Sequence, residues 1–365
     1  MYYILQVSGY HMVKRTKKRL TLWQIADLAG TSKSTVSRVL TNDPDVSPET
    51  RERIQKVISE QGFHPNFFAR GLRGGPTGQI GVLGRWMEQG FIANVIQGID
   101  DLAARHHAHL LTCFAHSADD YIDLWRQFTA ARQVDAMILI APPPELYSET
   151  VDWQELPLVL CASHAPKNRK GWQNVDSVTL DNRGAMDALL DHLVTEGCRH
   201  LVHFQGASGI YEAIERAEVF SNFCAAHPEL KAEIVKVDET YVKSRAKVHE
   251  YLDAHGQPPD AFVCFNDMMA MGVLEALKER KIAIPAEVAI TGFDDEAAAE
   301  ARGLTTISIP GIRLGQETVR LLYMRLEEKQ GDTPTARNST LQLNLKIRSS
   351  SRRKEARVPR GTAAS

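Results

Sequence analysis

The sequence predicts an α/β core of two lobes, with parallel sheets and helices on both faces, preceded by a small all-α headpiece of helix-turn-helix type. Three observations carry this. From residue 80 onward, short apolar runs alternate with amphipathic helical stretches, the pattern of covered parallel sheets. Residues 21–40 hold two short helical patterns around a glycine. Charge is also unevenly divided: residues 1–75 carry twelve Lys/Arg against six Asp/Glu, whereas the remaining 290 carry 31 against 39. The net charge of −2 therefore conceals a basic head on an acidic body, as in a polyanion-binding module joined to something else.

A chain of 365 residues is too long for one ordinary core and suggests two or three domains. No apolar run of about 18 residues is present, so no membrane span is expected. The first eleven residues, MYYILQVSGYH, lack a basic leader and a small-residue cleavage site, which points to a cytoplasmic protein. A start at Met12 would make them dispensable. The five cysteines (113, 161, 198, 224 and 264) are odd in number and far apart. They read as reduced core residues, not as a disulfide frame or a metal site.

Lys14, Arg15, Lys17, Lys18 and Arg19 sit ahead of the first helical pattern, where they would meet phosphates near a duplex. Thr21 is the expected N-cap, and Leu22, Ile25, Ala26 and Ala29 recur at helical spacing. Gly30 ends that helix and Ser32 caps the next, whose apolar face is Val36, Val39 and Leu40. Lys33, Ser34 and Ser37 fall opposite that face, Thr35 flanks it, and Arg38 follows one turn after Ser34. Lys and Arg donate to guanine edges and Ser serves several bases, so this helix suits a major groove. A third helix begins with Ser47 and Pro48, turns Ile54, Val57 and Ile58 inward, and stops at Gly62.

Residues 20–75 resemble the headpiece of the LacI/GalR family of bacterial transcription regulators. The residues carrying the resemblance are Thr21-Leu22, Ile25-Ala26, Ala29-Gly30, Ser32, Thr35 to Leu40, Val46-Ser47, Thr50-Arg51, and Gly62 to Asn66 leading to Ala69-Arg70 and Leu72. The resemblance implies that Lys33 and Ser34, after the recognition-helix serine, read bases, with Arg38 as the helix arginine and Thr21, Ser32, Thr35 and Ser37 also at the DNA. It also implies that NFFARGLRG at 66–74 is a hinge helix that pairs with its dimer mate in the minor groove, with Leu72 as the inserted wedge and Asn66 and Arg70 at the DNA. An apolar wedge unstacks a base step, and the resulting bend lets more protein be wrapped. The alternative for Leu72 is an ordinary linker or core leucine. Gly71 weakens the helix by about 1 kcal/mol relative to Ala, which suits a hinge that orders only on DNA.

In the body, strands are expected at 80–83, 109–114, 136–141, 158–162, 201–205, 261–265 and 288–292. Helices are expected at 91–106, 119–132, 183–196, 211–226, 243–255, 268–280 and 312–329. The body is similar to the periplasmic-binding-protein-like core of the same family, on the segments VCFNDMMAMG, AITGFDD and LTTI. The resulting partition is a basic, disordered extension (1–19), the headpiece (20–65), a hinge and linker (66–78), an effector-binding and dimerisation core (79–348), and a disordered tail (349–365). One lobe spans about 79–180 and 308–336, the other 181–307 and 337–348.

Ligands of parallel sheets sit beyond the strand C-termini. The resemblance carries effector contacts to Asn266, Asp294 and Arg216, with Asp181 beside them. Trp86 and Phe91, in the first strand–helix loop, offer faces on which a ring stacks. Each has a structural alternative: Arg216 pairing with Glu212 one turn earlier, and Asp267 capping the helix that starts at Met268. His106, His107 and His109 read as surface residues at a helix end. The sequence departs from the family at Ser308-Ile309-Pro310, where many members carry a polar or basic side chain, and no C-terminal leucine heptad follows.

No GxSxG, P-loop, HExxH or CxxC motif is present, and neither catalysis nor a cofactor or metal is expected. The expected protein is a homodimeric repressor that binds a pseudo-palindromic double-stranded DNA operator, with no membrane association. Its effector is a small polar molecule, a sugar or sugar derivative first and a purine or other metabolite second. The alternative is a sugar-binding protein or cleft enzyme of similar core, which would have no use for residues 20–75.

Overall fold

The computed structural model describes residues 20–40, 43–63, 76–85, 90–131, 133–149, 151, 155–166, 168–206, 210–238, 240–328 and 335–353. The chain divides into two compact units, Met1–Gly75 and Pro76–Ser365.

In the first unit, α1 (Leu22–Leu28), α2 (Lys33–Leu40) and α3 (Pro48–Glu60) enclose a core of Ile25, Ala26, Ala29, Val36, Val39, Val46, Ile54 and Phe63. Local chemistry sets each boundary. Thr21 and Gln24 form a reciprocal capping box at the start of α1. Gly30 takes a φ of 59° after it. The Ser32 hydroxyl accepts the Thr35 N–H at 3.1 Å at the start of α2, and the Ser47 hydroxyl accepts the Thr50 N–H at 3.3 Å at the start of α3. The three apolar stripes expected from the sequence meet one another, because each short helix has only one face able to leave water.

The second unit holds two parallel sheets. Lobe 1 has the order β11-β5-β4-β3-β1-β2, built from β1 (Gln79–Arg85), β2 (His109–Ala115), β3 (Ala136–Ile140), β4 (Leu158–Cys161), β5 (Asp176–Leu180) and β11 (Asn338–Leu341). Lobe 2 has the order β7-β6-β8-β9, from β6 (His200–Phe204), β7 (Lys231–Val235), β8 (Ala261–Cys264) and β9 (Ala289–Thr291). A short antiparallel pair, β10 (Thr306–Ser308) and β12 (Asn344–Lys346), forms a third sheet.

Covering helices are α4 (Gly90–Arg105), α5 (Ala118–Ala131), α6 (Asn182–Thr195), α7 (Tyr211–Ala226), α8 (Tyr241–His255), α9 (Asp267–Glu279), α10 (Ala297–Ala301) and α11 (Gly311–Leu326). Helices α4 and α11 pack backbone to backbone. A Cβ at Gly98 would collide with the Ile312 carbonyl, and one at Gly315 with the Val95 carbonyl. Only glycine permits that approach. None of the described helices is long and apolar enough to cross a membrane. All five cysteines are free.

Two boundaries differ from the expectation. Residues 338–341, assigned to lobe 2, instead add a parallel edge strand to lobe 1, in register with Ser177–Leu180. Polar pairs hold the register: Ser177 Oγ donates to Asn338 Oδ1 at 2.6 Å, and the Thr179 and Thr340 hydroxyls lie 3.0 Å apart. The expected disordered tail at 349–365 is bonded into lobe 2 as far as Arg353. Ile290 N–H donates to Ser350 O, the Ser350 hydroxyl donates back to Ile290 O at 2.7 Å, and Ser351 Oγ lies 2.6 Å from Thr305 Oγ1. These hydroxyls satisfy backbone and side-chain groups that burial removes from water, so a polar sequence here is structural. Residues 354–365 lie outside the described residues.

Candidate functional site

Two surfaces gather the residues singled out by sequence. On the head, the leading end of α2 is a network of small hydroxyls. Ser32 Oγ lies 2.6 Å from Ser34 Oγ and 2.8 Å from Thr35 Oγ1. Ser34, Ser37 and Arg38 are exposed while Val36 and Val39 are buried beneath them, so the polar face points outward. The Lys33 ammonium lies 5.6 Å from the centre of the Trp23 ring. Arg38 Nε is 3.7 Å from Asp43. Thr21 is exposed, but its hydroxyl serves the capping box. Trp23 was missed by sequence reasoning. Its signal is a large ring off the Leu22-Ile25-Ala26-Ala29 stripe, left 69% exposed. Asn66, Arg70 and Leu72 lie outside the described residues.

In the body, strand order fixes where a ligand site belongs. Lobe 1 reverses its winding between β1 and β3, and lobe 2 between β6 and β8. The crevices beyond those strand ends face the loops after Arg85, Ile140, Phe204 and Cys264. Arg216, on α7, is the organising residue. It is 3% exposed, its Nε donates to Asn182 Oδ1 at 3.0 Å, and its Nη1 donates to Phe265 O at 2.7 Å. Its guanidinium stacks 3.4 Å from the centre of Phe293 and 4.8 Å from that of Phe265. Asn182 in turn donates to Glu215 Oε2 at 2.6 Å. Arg216 is therefore held by Asn182 and Phe265, and Glu212, the salt-bridge partner the sequence also offered, lies within reach of its charge.

Asn266 follows Phe265 and is 1% exposed. Its Oδ1 caps α9 by accepting the Met269 N–H at 2.9 Å, while its Nδ2 is a buried donor with no hydrogen-bond partner among the described residues. Such a donor costs about 1–3 kcal/mol unless something accepts from it. Asp294, one residue after Phe293, has a φ of 115°, and its N–H donates to Ile307 O at 2.8 Å. Asp295 follows at a φ of 60°, tied to Arg348 at 2.6 Å. Two successive non-glycine residues in this region store strain of the kind that collects at binding sites.

Asp267 is not the cap of α9, contrary to expectation, because Asn266 already fills that position. Its carboxylate instead accepts the Thr306 hydroxyl at 2.6 Å and the Glu296 N–H at 2.9 Å. Burial raises its pKa to about 7.

Asp181 is half-buried and caps α6, accepting the Gly184 N–H at 3.0 Å. It thus stands beside Asn182, the Arg216 partner, with its carboxylate used locally. Phe91 is half-buried in the first turn of α4, and Trp86 lies outside the described residues. The two lobes approach where His164 meets Tyr211, with ring centres 5.3 Å apart. Tyr147 on the lobe 1 side bonds Ser163 Oγ at 2.9 Å, and burial pushes its hydroxyl up to about 12. Glu212, 8% exposed, has its carboxyl raised to about 7, chiefly by burial, with Arg216 and the lobe 1 residue Arg85 pulling it down. No group of three or more metal-ligating side chains occurs among the described residues.

Residues 21–66 match the profile described as bacterial regulatory proteins, lacI family, and residues 190–351 match that of a periplasmic binding protein-like domain. The HTH-type transcriptional regulator PtxS of Pseudomonas putida is 28% identical over 342 residues, covering 92% of this chain and 97% of that protein. Catabolite control protein A of Priestia megaterium is 28% identical, covering 84% and 93%. Among solved structures, a lac repressor dimer bound to operator and the anti-inducer ONPF superposes with a TM-score of 0.76 at 22% identity, covering 92% of this chain and 99% of that one. A complex of transcriptional regulator CelR with cellobiose gives 0.65 at 24%, covering 91% and 100%. With a lacI-type head, a binding-protein-like body and full-length relatives that are transcriptional regulators, the chain belongs to the LacI family of bacterial transcription regulators.

Proposed function

We propose that this regulator is a cytoplasmic homodimeric repressor whose grip on a pseudo-palindromic operator is set by a sugar or sugar derivative in the cleft between its lobes. Two heads related by a two-fold axis present two recognition helices to successive major grooves. Lys33, Ser34, Ser37 and Arg38 would read base edges, Ser32 and Thr35 would orient them, and Asn66, Arg70 and Leu72 would act at the minor groove.

The observation that carries the effector reading is the buried pair Arg216 and Asn266, with the half-buried Asp294, around Phe265 and Phe293. Donors, a carboxylate and aromatic faces in one crevice suit a polyhydroxylated ring. Phe91, Trp86 and Asp181 are assigned to its margin. An effector acts by binding one lobe arrangement more tightly than the other. A role in regulation rather than catalysis is supported by the regulator names of the full-length relatives.

The test uses the full chain. Duplexes are selected from a randomised pool at low ionic strength, and metabolites are then screened for a rise in melting temperature and a change in binding to the selected duplex. A recovered palindrome and a sugar that alters its retention are expected. A pool that yields no preferred duplex with or without metabolites would remove the reading.

A further inference from the structure

We infer that Glu296 is a positioning residue that ties lobe 2 to the leading end of the lobe 1 helix α4, and so sets the lobe arrangement on which an effector acts. The inference rests on the regulator reading proposed above. Glu296 Oε1 accepts the Gly90 N–H at 2.9 Å, a bond between residues 206 positions apart and in different lobes. Gly90 opens α4, a 16-residue helix whose first N–H groups have no partner within the helix. A carboxylate there satisfies a donor and faces the positive end of the helix dipole.

Both ends of this contact are rigidly mounted. On the lobe 2 side, the Glu296 N–H donates to Asp267 Oδ2, and Asp267 Oδ1 holds the Thr306 hydroxyl. Asp267 directly follows Asn266, whose buried Nδ2 has no partner among the described residues, and Glu296 lies two residues after Asp294. On the lobe 1 side, α4 is clamped to α11 through Gly98 and Gly315. A movement of the Asn266–Asp294 wall relative to lobe 1 therefore stretches or keeps the Glu296–Gly90 bond. A contact made in one arrangement and lost in the other biases the equilibrium between them, and any ligand that favours either arrangement works against or with it. Burial also raises the Glu296 pKa, consistent with a carboxyl held between lobes and not on open surface.

The experiment uses the full chain, the duplex selected with wild type, and no added small molecule. Glu296→Ala should change affinity for that duplex by about fivefold or more. It should also speed amide exchange at Gly90–Asn94 and leave the melting temperature close to wild type. Glu296→Gln, which keeps an acceptor but no charge, should fall between. Faster exchange with unchanged duplex affinity would reduce Glu296 to a local cap and overturn the inference, as would unchanged exchange. Wild-type binding in the same assay separates that failure from failure of the regulator reading. A wild type that selects no duplex overturns both.

Discussion

The guanidinium carbon of Arg216 lies 3.4 Å from the centre of the Phe293 ring, so a strand-end aromatic and a helix arginine share one desolvated stack. A planar cation on a ring face is attracted by the ring quadrupole, and in a dry site the gain reaches about 2 kcal/mol. The same guanidinium donates in two directions, to Asn182 and to Phe265 O. A lysine retains the charge but not the fork. Arg216→Lys should therefore abolish the ligand-induced rise in melting temperature while the selected duplex is still bound. A full ligand response in the variant would remove Arg216 from the effector site.

Asp267 gives the core a specific pH dependence. Its carboxyl ionises near 3.8 when unfolded and at about 7 when folded, so between those values the folded state holds the proton that the unfolded state has lost. Its contribution is complete below the unfolded value and is lost as pH rises through about 7. Glu212, raised from 4.5 to about 7, acts in the same sense. His203 opposes both: burial lowers it from 6.5 to about 4, so stability falls as pH drops through that window. Asp267→Asn isolates one contribution. Urea unfolding from pH 4 to 7 should move in favour of the variant by a few kcal/mol. A constant difference between variant and wild type would contradict the assignment.

What the sequence made legible follows from how each element is built. Strands such as AMILI at 136–140 are buried on both faces and announce themselves as apolar runs. DSVTL at 176–180 is equally buried but carries Asp176, Ser177 and Thr179, each bonded to distant residues such as Arg337, Asn338 and Thr340. Nothing local marks it as interior, and β11, which supplies Asn338 and Thr340, was hidden for the same reason. The cleft behaves likewise. Phe265-Asn266-Asp267 and Phe293-Asp294 stand at strand ends where periodicity places them, whereas the Asn182–Arg216 and Glu296–Gly90 pairings join positions 34 and 206 apart. Spacing along the chain carries no trace of either.

The buried carboxylate of Asp176 anchors the far edge of lobe 1. It is fully buried, accepts from Nε and Nη2 of Arg325, itself 5% exposed, and also accepts from Arg337. Removing Asp176 takes from the buried Arg325 its main counter-charge, leaving it Glu328 and the Asn174 carbonyl, at a cost of about 3–5 kcal/mol. Asp176→Ala should lower the unfolding free energy in urea by that order. Pairing it with Arg325→Met should recover part of the loss, because the stranded cation is then gone. A double variant no better than the single would mean that the cost lies in packing and not in charge.

On the head, Lys33 and Arg38 stand in the first and second turns of a helix whose buried face is Val36 and Val39, so replacing either removes nothing from that buried face. Their roles separate by what is lost. A side chain on a base edge contributes about 1–3 kcal/mol of discrimination at one base pair. A side chain on a phosphate contributes uniformly and steepens the salt dependence by about one unit of slope. Lys33→Ala, at the leading end of α2 and braced over Trp23, should relax preference at one position in each half-site with little change in salt slope. Arg38→Ala should do the same at a second position. Selection of the variants against a randomised duplex pool, followed by salt titration, checks both. A flat loss of affinity across all sequences, together with a shallower slope, would move either residue from the bases to the backbone.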